Sequence, residues 1–415
     1  MSQTQEKTEA QAQRESVPRR YWIWLGGVTL SLLGSQIMAF GMTWVAAGWG
    51  GAFAGAVLTA INLPRVALLL FGGALADRIG AWRVMIMSDF TMATATVVLG
   101  AAVLVLGVQP WLLLAAALVI GVVDAFYLPS SGSMPRRLVS QPALARAMSA
   151  RQAIGQLATF AGPSMGGLIV AAAGLAAAAF LNAATFVVMA VIMVGLRPRS
   201  TPADTPPPAG GSSLRRSADG LRVAWSDPLL RPALGLIAAA AGFLLPVSGL
   251  LIPLLATQRQ WSAATGGVLA GAIALGIVVV AVIVTAAGAF RRPGVAAASG
   301  LALAASAVLA LVATNNPVAA VAVAAMVGIG SGVFTTHVGP LILGATPSTH
   351  LARVQSVLVL AQSLPLLLTN NVLGSLNDLY NVNVVLAVCS VLLMLAAVLG
   401  VRSPVLRTAT LVQER

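Results

Sequence analysis

Gly73-Ala-Leu-Ala-Asp77-Arg78-Ile-Gly80, with Arg83 just beyond, ends a nearly charge-free run that starts at Gly51. Lipid hydrates neither a carboxylate nor a guanidinium, so a segment that runs into Asp77 and Arg78 must meet the membrane–water interface or protein there. The stretch therefore reads as a membrane edge: an apolar helix up to Leu75, then a polar loop that turns at Gly80. Composition agrees. Of 415 residues, 58% are hydrophobic and 8% charged, against roughly 25% charged in a soluble domain. Mean hydropathy is +0.92. The chain reads as an integral membrane protein, and the lack of long alternating segments excludes a β-barrel.

Twelve runs are long enough to cross a bilayer as helices: 22–46, 51–75, 84–106, 111–131, 153–173, 176–196, 233–255, 264–287, 295–312, 318–343, 354–374 and 382–401. Twelve spans put both termini on one side. The segments on that side hold nearly all the interfacial arginines, including Arg19, Arg78, Arg136, Arg215, Arg291 and Arg402, while the opposite side holds Arg259 alone. By the positive-inside rule the termini are cytoplasmic, so the net charge of +13 reports topology and not a nucleic-acid partner. Cys389 is the single cysteine, and His337 and His350 are the only histidines; no metal site or disulfide framework is expected, and no cofactor. Lys7 is the only lysine, so the lysine of a nucleotide-binding phosphate loop cannot be supplied within the chain. An enzyme is not expected.

The longest interruption opens with the Pro- and Gly-rich Thr205-Pro-Pro-Pro-Ala-Gly-Gly and continues as an arginine-rich stretch. It divides the chain into a cytoplasmic tail (1–20), a six-helix bundle (21–196), a linker (197–231), a second six-helix bundle (232–402) and a C-terminal tail (403–415). An internal repeat supports the division. Leu144-Ala-Arg146-Ala-Met-Ser149 precedes span 5, and Leu351-Ala-Arg353-Val-Gln-Ser356 precedes span 11 at an offset of 207 residues. At the same offset Gly121 maps onto Gly328. Parallel six-helix repeats are a transporter plan in which the substrate site lies near the midplane.

Placed between spans 2 and 3, Gly73, Asp77, Arg78 and Gly80 resemble the signature loop of the major facilitator superfamily. The family pattern continues with two basic residues, where this chain has Ala81 and Trp82 and brings Arg83 one place late. The resemblance implies an all-α membrane fold of twelve helices in two six-helix bundles, with this loop as a cytoplasmic gate. In span 5, Gly162-Pro163-Ser-Met-Gly166-Gly167 resembles the Gly-Pro-x-x-Gly-Gly element of the superfamily's drug/proton antiporters. Phe126-x-Leu-Pro129, Pro135-Arg-Arg-Leu-Val139, Leu144-Ala-Arg146-Ala and Gln152 are similar to the segment after helix 4 in bacterial macrolide and siderophore exporters. These resemblances imply a monomeric, multi-pass transporter of a bacterial inner membrane. Its partners would be protons, the lipid bilayer and an amphipathic small-molecule substrate, a drug or metabolite, expelled by alternating access. An importer or facilitator of a small nutrient, or a non-transporting sensor on the same fold, is the alternative.

Three carboxylate or guanidinium side chains fall inside spans, where each charge costs roughly 2.5–3.5 kcal/mol or more. Arg65 in span 2 and Asp124 in span 4 lie at matched depth; Asp89 in span 3 is nearer the cytoplasm. Arg65 is expected to pair with Asp124, or to share Asp124 and Asp89, in a proton-coupling group or in a static ion pair. Gln36 in span 1 and His337 in span 10 are the expected cavity contacts, because the family lines its cavity with helices 1, 4, 7 and 10. Met38, Phe40, Met42 and Trp44 are expected as an adaptable apolar wall or as lipid-facing packing.

Overall fold

A computed structural model describes residues 17–196, 227–345 and 351–409. The N-terminal tail before residue 17, most of the linker, the segment 346–350 and the last residues of the C-terminal tail lie outside it. Among the described residues every regular element is helical. The order is α1 (Arg19–Ala47), α2 (Gly51–Ile79), α3 (Ala81–Leu106), α4 (Pro110–Leu138), α5 (Gln141–Gly195), α6 (Leu230–Phe243), α7 (Ile252–Gln258), α8 (Ala263–Ala287), α9 (Pro293–Ala313), α10 (Pro317–Ala345), α11 (Leu351–Leu379), α12 (Val382–Arg402) and the short α13 (Pro404–Thr408). In hydrocarbon the backbone must satisfy itself, and uninterrupted helices do so.

Eleven described helical stretches have the length and apolarity to cross a membrane. One of them, α5, has 55 residues, far more than the roughly 20 that a bilayer requires. It breaks at Gly174, whose φ of 75° is open to glycine and strained for other residues. The predicted spans 5 and 6 are the two arms of α5, which brings the spans to twelve. Predicted span 7 is not one regular helix. It is α6, a π-helical turn at Val247–Leu251 and α7, with Pro246 before the turn and Pro253 after it. The opening stretch also differs from its reading as a loop. α2 continues through Asp77 and Arg78 to Ile79, and Gly80 alone, at φ 92°, separates it from α3.

Helix starts follow local chemistry. Ser262, Asn381 and Ser403 accept hydrogen bonds from the N–H groups of Thr265, Val384 and Leu406, as caps do. Asp227 accepts from Leu229 and Leu230 before α6. Proline occupies the first turn of α4, α9 and α13, where no helical N–H is lost.

The chain forms two compact units. The first comprises the described parts of Met1–Ala39, Leu63–Gly162 and Ala173–Pro208; the second comprises Phe40–Asn62, Pro163–Ala172 and the described parts of Ala209–Arg415. Within the first, Tyr21, Trp24, Trp82, Met85, Met134 and Met189 belong to one buried cluster. Within the second, α10 packs on α8 and α9 at glycines: a Cβ on Gly328 would overlap the Ile273 carbonyl, and one on Gly330 the backbone of Ala304. Small residues let helices approach closely in lipid, where packing replaces the hydrophobic drive.

Candidate substrate and proton site

The first unit contains a cavity of about 430 Å³, within the roughly 300–1,000 Å³ range of small-ligand sites. It is lined from α1, α2, α4 and α5. Gln36, Arg65, Asp124, Arg151, Gln152 and Gln156 bring polar groups to it, and Leu25, Leu32, Leu128, Met148 and Phe186 form apolar wall. The mixture suits an amphipathic ligand.

Arg65 follows Pro64 on α2, and Asp124 lies mid-way along α4. Both side chains line the same cavity. They are not a closed ion pair, since no contact within 4.0 Å joins them. The pair is therefore spaced across a cavity and not locked between helices.

Asp89 does not line the cavity. It is fully buried on α3, and both carboxylate oxygens lack a hydrogen-bond partner among the described residues. Burying a carboxylate this way is costly. Tyr127, a cavity residue, likewise has a buried hydroxyl with no hydrogen-bond partner among the described residues. The Arg65–Asp124–Asp89 triad is thus split into a cavity pair and a separate buried carboxyl.

Arg151 is a site residue that sequence reasoning assigned only to the interfacial arginines. On α5 it donates to the Ser131 hydroxyl at 3.1 Å and lies over the Trp24 ring at 5.5 Å. The cation–π and hydrogen-bond contacts hold the guanidinium at the cavity wall.

Gln36 lines this cavity, and Gly162 lies against it. A Cβ on Gly162 would overlap Gln36, so the glycine lets α5 close on α1. In the second unit, Gly167 faces the Ala263 carbonyl and Gly267, and the Pro163 carbonyl faces Gly267. Ser164 donates to the Gly267 carbonyl at 3.3 Å. The Gly-Pro-x-x-Gly-Gly element therefore sets two close helix approaches, and Gly166 is buried with it.

His337 belongs to the second unit and is fully buried. Its Nε2 accepts the Phe290 N–H at 3.1 Å, its Nδ1 donates to the Val333 carbonyl at 2.8 Å, and its ring stacks on Phe290. That geometry ties the chain after α8 to α10, and His337 is not among the residues that line the cavity. Met38, Phe40 and Met42 are buried packing residues, and Trp44 packs on Gly266. In the gate motif, Arg78 and Arg83 are exposed, and Ala81 and Trp82 are buried.

The Major Facilitator Superfamily model matches residues 24–368. The multidrug efflux pump Tap of Mycolicibacterium fortuitum is 26% identical over 244 residues, covering 57% of this chain and 59% of that protein. The match thus spans less than two thirds of the relative's length. Among solved structures, a bacterial homologue of the human lysosomal transporter Spinster aligns with a TM-score of 0.71 at 16% identity, covering 94% of this chain and 98% of the other. A mutant of the nucleoside transporter NupG gives 0.71 at 13% identity, covering 92% and 98%. A bacterial homologue of the iron transporter ferroportin gives 0.68 at 16%, covering 94% and 99%. At these identities the structures speak to fold alone, and with the family match they lead to one conclusion: the chain belongs to the Major Facilitator Superfamily and is a multi-pass membrane transporter, not an enzyme.

Proposed function

We propose that this transporter exports amphipathic drugs, antibiotics or siderophore-like metabolites from a bacterium in exchange for protons. The observation that carries the proposal is the cavity in which Asp124 and Arg65 share one wall-lined space without a closed ion pair. A carboxylate in that setting binds and releases a proton as its surroundings change, and a guanidinium at a distance biases it without locking it. Asp89, buried with unpartnered oxygens, is a second proton carrier. The relative named as a multidrug efflux pump and the antiporter-like element at Gly162, Pro163, Gly166 and Gly167 support export over import.

In this reading the protein works as a monomer in the cytoplasmic membrane with both termini inside. Two six-helix bundles alternate access to the cavity. Gly73, Asp77, Arg78, Gly80 and Arg83 form the cytoplasmic gate, and the basic linker joins the bundles. The test is a deletion strain profiled on a broad antibiotic panel and complemented with wild type or Asp124→Asn. Wild type restores resistance to a subset of compounds and lowers their cellular accumulation, whereas Asp124→Asn expresses equally and restores neither. Equal complementation by both would refute the coupling role, and sensitivity conferred by the wild-type gene would point to uptake.

A further inference from the structure

The titratable groups around the cavity are Arg65, Arg151, Asp124 and Tyr127. Two guanidiniums face one carboxylate, so the wall carries an excess of positive charge at neutral pH. A purely cationic amphiphile meets that excess as repulsion. A purely anionic one satisfies the arginines yet leaves Asp124 unoccupied, and nothing then makes ligand and proton exclude one another. Exchange needs that exclusion: a ligand cation and a proton compete for the same carboxylate.

From these constraints we infer that the cavity is built for a zwitterionic amphiphile, its anionic group on Arg151 and Arg65 and its ammonium on Asp124. Arg151 is the specificity-determining residue. The Ser131 hydroxyl and the Trp24 ring fix its guanidinium in place, and among the described residues Ser131 is its one hydrogen-bond partner. A guanidinium has five N–H donors in a planar fork that matches a carboxylate. Lysine carries the charge without the fork or the stacking. The neutral amides Gln152 and Gln156 add donors and acceptors one and five residues along the same helix. The apolar body lies against Leu25, Leu128, Met148 and Phe186. Only the ammonium half of this assignment rests on the proton-exchange reading; the anion half rests on Arg151 and Arg65.

The experiment is equilibrium binding to the purified full-length protein in lipid nanodiscs at pH 7.5, with no gradient. The probes share one ring system: norfloxacin (a zwitterion), its methyl ester (a cation) and its N-acetyl derivative (an anion). Wild type is expected to bind norfloxacin about tenfold more tightly than either derivative, the scale of one charge-assisted contact. Arg151→Gln is expected to weaken norfloxacin and the N-acetyl compound about tenfold and to bind the ester at least as tightly as wild type, since it loses a repelling charge, while Arg151→Lys recovers part of the loss. Asp124→Asn is expected to weaken norfloxacin and the ester and spare the N-acetyl compound. A melting curve matching wild type excludes misfolding. The inference is overturned if wild type binds none of the three, if it takes the ester as tightly as norfloxacin, or if Arg151→Gln weakens all three alike. Because no gradient is present, this pattern stands or falls separately from proton exchange, which only a transport assay reads.

Discussion

Arg259 is the one arginine that the sequence alone places on the side away from the termini, and the structure gives it a local partner. Its guanidinium donates to the carbonyls of Leu311 at 2.9 Å and Val312 at 3.1 Å and lies over Trp261. These carbonyls lie in the last turn of α9, where the dipole is negative, and the Leu311 carbonyl also accepts from Thr314. The residue is a helix cap. Arg259→Ala is expected to destabilise the purified protein by about 1–2 kcal/mol, read as a lower melting temperature, with transport per folded molecule unchanged. Trp82 resolves an exception. Where the superfamily pattern carries basic residues, Ala81 and Trp82 are buried in the cluster with Tyr21 and Trp24, so the loop charge was exchanged for core. Neither account was legible in sequence, because a cap and a cluster depend on which distant backbone or ring arrives at the side chain.

At the scale of elements, small residues decide where helices meet. Gly167 and Gly267 face each other where α5 crosses α8. Gly167→Val is expected to cost about 1–3 kcal/mol by overpacking, seen as a lower melting temperature, whereas Gly249→Ala, with open space around its Cβ position, leaves the melt unchanged. A second junction joins the start of α2 to the end of α11 within the second unit. Asp378 accepts the N–H groups of Gly51 at 2.6 Å and Ala52 at 2.8 Å, Asn371 donates to Thr59 at 2.7 Å, and Gly51 and Gly374 meet backbone to backbone. Hydrogen bonds from orphan helix N–H groups to a charged acceptor are the stronger kind. Asp378→Asn keeps the shape and removes the charge. Spin labels at Phe53 and Asn377, on a Cys389→Ser background, are expected to show a longer and broader distance distribution in that variant; an unchanged distribution would show that the carboxylate does not hold the junction. Hydropathy marked every span because lipid imposes length and apolarity on each. It missed the π-helical turn at Val247–Leu251 and the helical course of Asp77 and Arg78, since proline placement and helix continuation depend on packing.

For the whole molecule, the sequence already held the class, the twelve spans and two of the three charges that matter. Arg65 and Asp124 stood out because any charge inside an apolar span is conspicuous. Arg151 did not, because it sits near a span end among interfacial arginines and only the fold turns it toward the cavity. The site that results is a cavity with a carboxylate, two guanidiniums and apolar walls, and the central claim is that its carboxylate couples substrate to protons. Proteoliposomes of the purified protein, loaded with an internal pH dye and energised by an imposed acid interior, test this most directly. External norfloxacin is expected to accelerate loss of the interior acid with wild-type protein and to accumulate as it does so, and Asp124→Asn is expected to abolish both. Norfloxacin uptake with no acid loss, or full exchange by Asp124→Asn, would contradict it.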